Sequence, residues 1–482
     1  MVIFKKGFFV GASAVIAFLI SSTTVILTLP IQFTDASTSC VGYQSGVNTI
    51  TVTCDASFQD VAQAINDPNI LEQEEGQEGQ YVLNANLEVA DGVNFEMTSS
   101  GDGLRYLKIA GENGLIVYGK ILIDGIIITS WDISDEEVIG QDMNGTIRRG
   151  YVQFAASEGS QIINSEFGYL GDVEPGRRGF DLFGGGGPSH DMEVRGSKFH
   201  DMWFAFYSNG AYNITVDGNE YYNNIKYALD PHTTTHDMII RNNWLHHNPI
   251  GAICSDRCYN ILIEGNLAEH NTNSGIFLSR NMTNSIVRNN QVSNTSTGIL
   301  LSESPNNQVY NNIIDGATDE GILLFNPDIP DDGSTQGNII YDNAISNSDD
   351  GIRATRSQNN IVENTTFTGI ESSEYRVSGN SGITIRGQEF DDAIITGDAE
   401  GEAGEEGEME AEDDQPVENV VEIVGSGIID VTEGADNGGG EEEDGEEDDE
   451  NGGDEDEGSS HNTDVEPYTA ILGDGDSITI NS

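Results

Sequence analysis

The chain has 482 residues, with 82 Asp and Glu against 20 Lys and Arg, for a formal net charge of −62. So negative a chain excludes nucleic acid as a partner, which would require a basic stripe. Two explanations of the acidity stay open: adaptation to high salt or divalent cations, where screening tames self-repulsion, or a strongly solvated acidic surface.

At the N-terminus Lys5 and Lys6 precede an uncharged run from Gly7 to Thr34. Residues 1–36 therefore read as a secretion signal or a single membrane anchor, and either fate makes the protein extracytoplasmic, secreted or held at the cell surface. The four cysteines, Cys40, Cys54, Cys254 and Cys258, form two local pairs, as an oxidising compartment allows. They are candidates for two disulfides, or for one disulfide and two inert thiols. Metal ligands are not assigned, because zinc would need partners beyond Cys254 and Cys258. Five Asn-x-Ser/Thr triplets begin at Asn144, Asn213, Asn281, Asn294 and Asn364, a weak further pointer to export.

Residues 37–80 read as an N-terminal cap region. Within it "FQDVAQAINDPNILEQ", 58–73, suits a short helix that covers exposed strand edges. From 81 to 395 the sequence alternates and then repeats. "NITVDGNEYYNN", "DMIIRNNWLHHN", "NILIEGNLAEHN" and "NSIVRNNQVSN" belong to a series whose matching residues are Ser197, Asn219, Asn243, Asn266, Asn290, Asn312, Asn343 and Asn364. Each unit carries strands of a few residues, and no helical period persists. Repeats of about 23 residues with several short strands predict an all-β parallel β-helix, in which stacked coils bury Ile, Val and Leu in one column. The Asn residues suit turns, where Asn tolerates the left-handed region and its side chain bonds backbone or the next coil. Leucine-rich repeats would need regular Leu spacing, and propeller blades are longer. The stretch 171–187, "GDVEPGRRGFDLFGGGG", breaks the pattern, as does the long step between Asn312 and Asn343. Both make room for loops of the kind that line a ligand groove, and the first carries Arg178 as a candidate substrate contact.

Residues 396–482 form an acidic low-complexity tail. Residues 401–460 hold 26 Asp and Glu and no Lys or Arg, which predicts disordered linkers around short strands. Such a tail would hold Ca²⁺ only loosely.

The chemistry concentrates at "YALDPHTTTH", residues 227–236, which contains two of only eight histidines. In a strand Asp230 and His232 share a face, with Tyr227 nearby. Proline and an exposed histidine suit an outward-facing position better than a buried repeat. Arg257 lies 25 residues after His232, about a coil away, and Arg280 lies 23 residues after Arg257. Tyr227, Asp230 and His232 followed by Arg257 and Arg280 would form a polar stripe across three coils, suited to an anion; pairing of the arginines with surface acids is the plainer alternative. His236 is a further candidate substrate contact.

With Tyr227, Leu229, Asp230, Pro231 and His232 in the pattern Y-x-L-D-P-H, flanked by "FHDMWFAFYSNGAYNITVDGNEYYNN" and "SGIFLSRNMTNSIVRNN", the chain resembles the mannuronan (alginate) C5-epimerases over roughly residues 80–370. The resemblance implies a right-handed parallel β-helix and inversion at C5 of uronate units within an alginate-like polysaccharide. It implies His232 as base, Asp230 as its orienting partner or as a hydrogen-bond partner of the sugar, Arg257 as the cation on the substrate carboxylate with Arg280 as substitute or subsite residue, and Tyr227 or water as proton donor. No redox cofactor is required. Two features depart from the family: Thr233 stands where it has Asp, and Arg257 stands one place late, with Asp256 at the matching position. The same intermediate can eliminate rather than invert, so a polysaccharide lyase is the nearest enzymatic alternative; a non-catalytic glycan-binding or cell-envelope β-helix is the other.

Overall fold

The computed structural model describes residues 40–396, except 145, 157, 185–186, 328–332, 380 and 390–391, together with the backbone of four strands between 420 and 481. The leader or anchor expected over 1–36 and the acidic linkers lie outside these residues.

The chain winds into three long, mainly parallel sheets of 18, 15 and 14 strands, one strand of each coil going to each sheet. The strand Tyr227–His232 lies in the first sheet, Ile239–Arg241 in the second and Trp244–His246 in the third. Each strand pairs in parallel with its counterpart one coil on, as Thr215 does with Ile239, Ile239 with Leu262, and Leu262 with Ile286. Alternate residues therefore point inward in matched columns. Val216, Ile240, Ile263, Val287 and Val309 are fully buried one above another. Upstream the column is aromatic: Phe167 stacks on Phe199 at 5.1 Å and Phe199 on Tyr221 at 4.8 Å.

Asparagine contributes differently from the simple turn role. Asn219, Asn243, Asn266, Asn290, Asn312 and Asn343 are at most 2 % exposed. Each of the first five donates its side-chain amide to the carboxamide oxygen of the next at 3.0–3.1 Å. The left-handed conformation falls to the residue before, as at Asn242, Asn289, Asn311 and Asp342. In the last repeat Asn364 takes the left-handed position and Thr365 the buried one. Two jobs that look like one in the sequence are thus split between neighbours: one turns the chain, and the other ties coil to coil.

At the N-terminus Cys40 is bonded to Cys54. The helix spans Phe58–Ile65, shorter than the sequence suggested. Ser57 caps its start in a reciprocal box with Asp60, and Asn66 ends it at φ 41°, just before the Asp67–Pro68 step, which disfavours continuation. Phe58 and Val61 seal the first coil, with Phe58 edge-on to Tyr81 at 5.0 Å. Stacking already begins within the expected cap region, since Thr49–Val52 pairs in parallel with Asn86–Val89. At the other end Val420–Ser426 and Ile428–Thr432 continue the parallel sheets, and Ser477–Asn481 and Tyr468–Ile471 pair antiparallel to them.

Cys254 and Cys258 do not form a second disulfide. Cys254 points into the core in register with Leu278. Cys258 follows a turn and directs its thiol at the carbonyls of Ser255 (3.1 Å) and Pro231 (3.5 Å). Burial pushes both thiols above the ordinary range, so they are inert.

The ladder makes a testable demand. Asn266→Ala removes hydrogen bonds to two neighbouring coils and leaves buried amide groups unpaired, which should cost about 2–3 kcal/mol; guanidinium unfolding of wild type and variant measures it.

Candidate active site

In the strand Tyr227–His232 the alternating pattern brings titratable groups to the outer face. Leu229 joins the inward column, so Asp230 and His232 face outward. Asp230 is in register with Tyr207 one coil upstream, and Tyr207 with Asp181 one coil before that. Asp181 and Asp230 are 0 % and 2 % exposed although they lie on the outer side of the sheet. The loop 171–178 ends in Arg178, whose charge acts on the Asp230 carboxyl. The base of the loop is held by Arg149, itself buried, which donates to the carbonyls of Gly171 (2.7 Å) and Asp201 (2.9 Å). The buried carboxylate of Asp172 adds to this anchor, pairing with Arg148 (3.2 Å) and Arg177 (3.6 Å).

That loop delivers Arg178. Its guanidinium sits 4.1 Å from the Tyr207 ring centre and 5.8 Å from that of Phe204. Gly171 is at φ 86°, and a Cβ there would come within 2.3 Å of the Arg178 carbonyl. No larger residue fits while Arg178 keeps this position.

His232 packs its ring at 5.4 Å against Tyr207, and its Nδ1 is 2.6 Å from the Thr233 hydroxyl. Burial lowers its pKa to about 4; Asp256 opposes the shift, and Arg178 and Arg280 add to it. The imidazole is therefore neutral at ordinary pH. When the Thr233 hydroxyl accepts from Nδ1–H, Nε2 carries the free lone pair. Asp230 moves the other way. Burial raises it to about 8, against the pull of Arg178 and a 3.4 Å hydrogen bond from the Ser255 hydroxyl. Tyr227 packs edge-on to Phe204 at 5.3 Å. Burial and the Asp230 charge raise its pKa, with Arg280 opposing, so it keeps its proton.

The expected residues are thus partly gathered. Tyr227, Asp230, His232, Arg178 and Arg280 share one neighbourhood, as their mutual electrostatic effects record. Arg257 does not join them. The turn after Ser255 takes two residues at positive φ, Asp256 at 64° and Arg257 at 63°. Arg257 is half exposed and pairs with Asp256 at 2.7 Å, while the backbone register of His232 falls on Ser255. His236 lies past the turn, sandwiched between Tyr212 at 5.4 Å and Tyr259 at 4.6 Å. Tyr207 and Asp181 were not anticipated. Counting one coil back from Asp230, as well as forward, would have found Tyr207.

The family described as a right-handed β-helix region matches residues 138–281 and 183–331. A mannuronan C5-epimerase of Pseudomonas aeruginosa is 27% identical over 184 residues, 36% of this chain and 33% of that enzyme. The corresponding enzyme of Pseudomonas syringae pv. tomato is 27% identical over 175 residues, 34% of this chain and 32% of its own length. The chain is a right-handed parallel β-helix related to the mannuronan C5-epimerases. The aligned part spans about a third of these curated relatives. Among solved structures, the periplasmic alginate epimerase AlgG superposes with a TM-score of 0.58 at 22% identity, covering 70% of this chain and 85% of that one, which establishes likeness of fold. Thr233 stands where the resemblance led one to expect Asp, and its hydroxyl lies 2.6 Å from Nδ1 of His232. Among the described residues no His, Cys, Asp and Glu group is arranged to hold a metal ion.

The Asp230 shift has a sign that can be checked. A carboxyl raised from 3.8 to about 8 in the folded state opposes folding once ionised, so stability falls as pH rises through that window. His232, lowered from 6.5 to about 4, costs stability only as pH drops below 6.5. Between pH 6.5 and 8 Asp230 acts without His232. Asp230→Asn should therefore gain about 2 kcal/mol relative to wild type across that interval, read from urea unfolding at the two pH values.

Proposed function

We propose that the chain is a C5-epimerase of uronate residues within a polysaccharide. The observation that carries this reading is the placement of His232 and Arg178 against one ring, that of Tyr207, on the outer face of the β-helix, with Arg280 close enough to act on both His232 and Tyr227. The C5 hydrogen of a uronate is poorly acidic beside an ionised carboxylate, and its removal generates an enolate-like dianion. Arg178, with Arg280, supplies the positive charge that offsets it. His232 Nε2 takes the proton, forming an imidazolium whose Nδ1–H donates to Thr233. Tyr227, still protonated, or a water returns a proton to C5 on the opposite face, and the carbon–carbon double bond of the enolate is converted back to a single bond. Asp230, protonated at neutral pH, adds no negative charge behind the reacting uronate. No redox step arises, so no redox cofactor is called for; Ca²⁺ would act at most as a bridge between polyanions.

An extracytoplasmic location agrees with the periplasmic one named for AlgG and with the Cys40–Cys54 disulfide. Whether residues 1–36 anchor the chain to a membrane is a separate proposal, tested by fractionation.

Incubation with uronate polymers in D₂O should install deuterium at C5, read by NMR, and His232→Asn should abolish it. Persistence of exchange in that variant would contradict the assignment; an unsaturated product absorbing in the ultraviolet would select the lyase instead, and binding without exchange a glycan-binding protein. Arg178→Ala should lower kcat/KM on the order of 10²–10³-fold, and Arg257→Ala by no more than about two-fold, within the small effect of an exposed ion pair. The pH profile of kcat/KM should rise with an apparent pKa near 4 and fall near 8, and Asp230→Asn should remove the alkaline limb.

A further inference from the structure

The register that aligns Asp181, Tyr207 and Asp230 on the outer face continues through Ile253, Phe277, Leu300 and Leu323. These side chains face away from the core, which their neighbours Leu278, Leu301 and Leu324 enter. Ile253 is nearly covered, and Phe277, Leu300 and Leu323 are partly exposed. Beside them Ser255, Ser279 and Ser302 continue the row of His232. The edge that follows Thr233 carries Asp256, Arg280 and Glu303 in successive coils. Beyond Leu323 the outward row carries Arg353 and Arg376, which pair with the buried carboxylates of Glu320 (3.4 Å) and Asp350 (2.5 Å), and Arg356 lies beside it over the Phe325 ring.

This half of the groove is badly matched to a homopolymer of uronates. Such a chain would carry a carboxylate on every sugar across a row of Ile, Phe and Leu, and an unpaired charge there is costly to desolvate. A neutral pyranose fits better: its C–H face packs on Phe277 and Leu300, and its hydroxyls meet the seryl row. Exclusion of the wrong sugar is itself a source of specificity. The apolar row is continuous with the strand that carries His232, so a polymer that reaches His232 along this row lies on it.

We infer that the groove downstream of His232 takes uncharged sugar residues, so that the substrate is a heteropolysaccharide whose uronates are separated by neutral sugars. The inference rests on the epimerase reading for the location of the reacting uronate, but its binding consequence can be read without turnover.

The test compares polymannuronate with a polymer of similar length that alternates uronate and neutral hexose. Calorimetry on the full chain at about 1 M salt, where exposed charges are screened beyond roughly 3 Å, removes the protein's overall charge as the cause of any preference. The wild type should bind the alternating polymer on the order of ten-fold more tightly, and Leu300→Arg should shrink or reverse that ratio. Equal or tighter binding of polymannuronate by the wild type, binding of neither polymer, or a ratio untouched in folded Leu300→Arg overturns the inference. The wild-type ratio decides the matter if the variant does not fold. C5 exchange followed in the same samples separates the two claims: preference for the alternating polymer with no exchange in either supports the subsite and overturns the epimerase reading.

Discussion

Everything in this molecule depends on the parallel register between coils. Backbone hydrogen bonds fix it, and the buried asparagine ladders reinforce it on the inside, where each carboxamide is satisfied only if its counterpart lies one rung away. A rung is about 4.8 Å, so residues a coil apart in sequence become side-by-side neighbours. Positions 181, 207 and 230 meet for that reason alone. Peripheral loops can then be inserted without disturbing the stack, and one of them brings Arg178 over the sheet from outside.

The consequence is an outward-facing site that is nonetheless dry. Asp230 is buried beside Tyr207, and His232 packs its ring on the same side chain. Burial disfavours the charged form of each group, moving the imidazole down and the carboxyl up. The pair consequently holds its protons in the reverse of the usual order: near neutrality the acid is protonated and the histidine is not. That inversion suits a base that must attack a weakly acidic C–H next to a carboxylate. On the proposed reading, Arg178 offsets the substrate carboxylate at short range despite the chain's net charge of −62.

Much of the fold was legible because periodicity is a property of the sequence itself. The repeat predicted stacked coils, and the Y-x-L-D-P-H stretch pointed to the outward face that carries Asp230 and His232. Other features depended on local conformation that spacing does not record. Arg257 sits about a coil from His232 by count, yet two successive left-handed residues turn it into a pair with Asp256. Arg178 reaches the site through an irregular loop whose path is set by Gly171 and by buried ion pairs. Cys254 and Cys258 are close in sequence, but the strand aims one thiol inward and the turn aims the other at carbonyl oxygens. The helix stops at Ile65 because Asn66 adopts a left-handed conformation ahead of Asp67–Pro68, a local signal that the amphipathic pattern outweighed.

The central claim is that His232 is an uncharged imidazole with its proton on Nδ1, poised to accept at Nε2. The direct measurement is ¹⁵N NMR of histidine-labelled protein across pH 3.5 to 8, with His232→Asn used to assign the signal. The account predicts a neutral Nδ1–H tautomer that persists through pH 6.5 and protonates only near pH 4. A His232 signal that titrates at or above 6.5, or a neutral form protonated at Nε2, would contradict it.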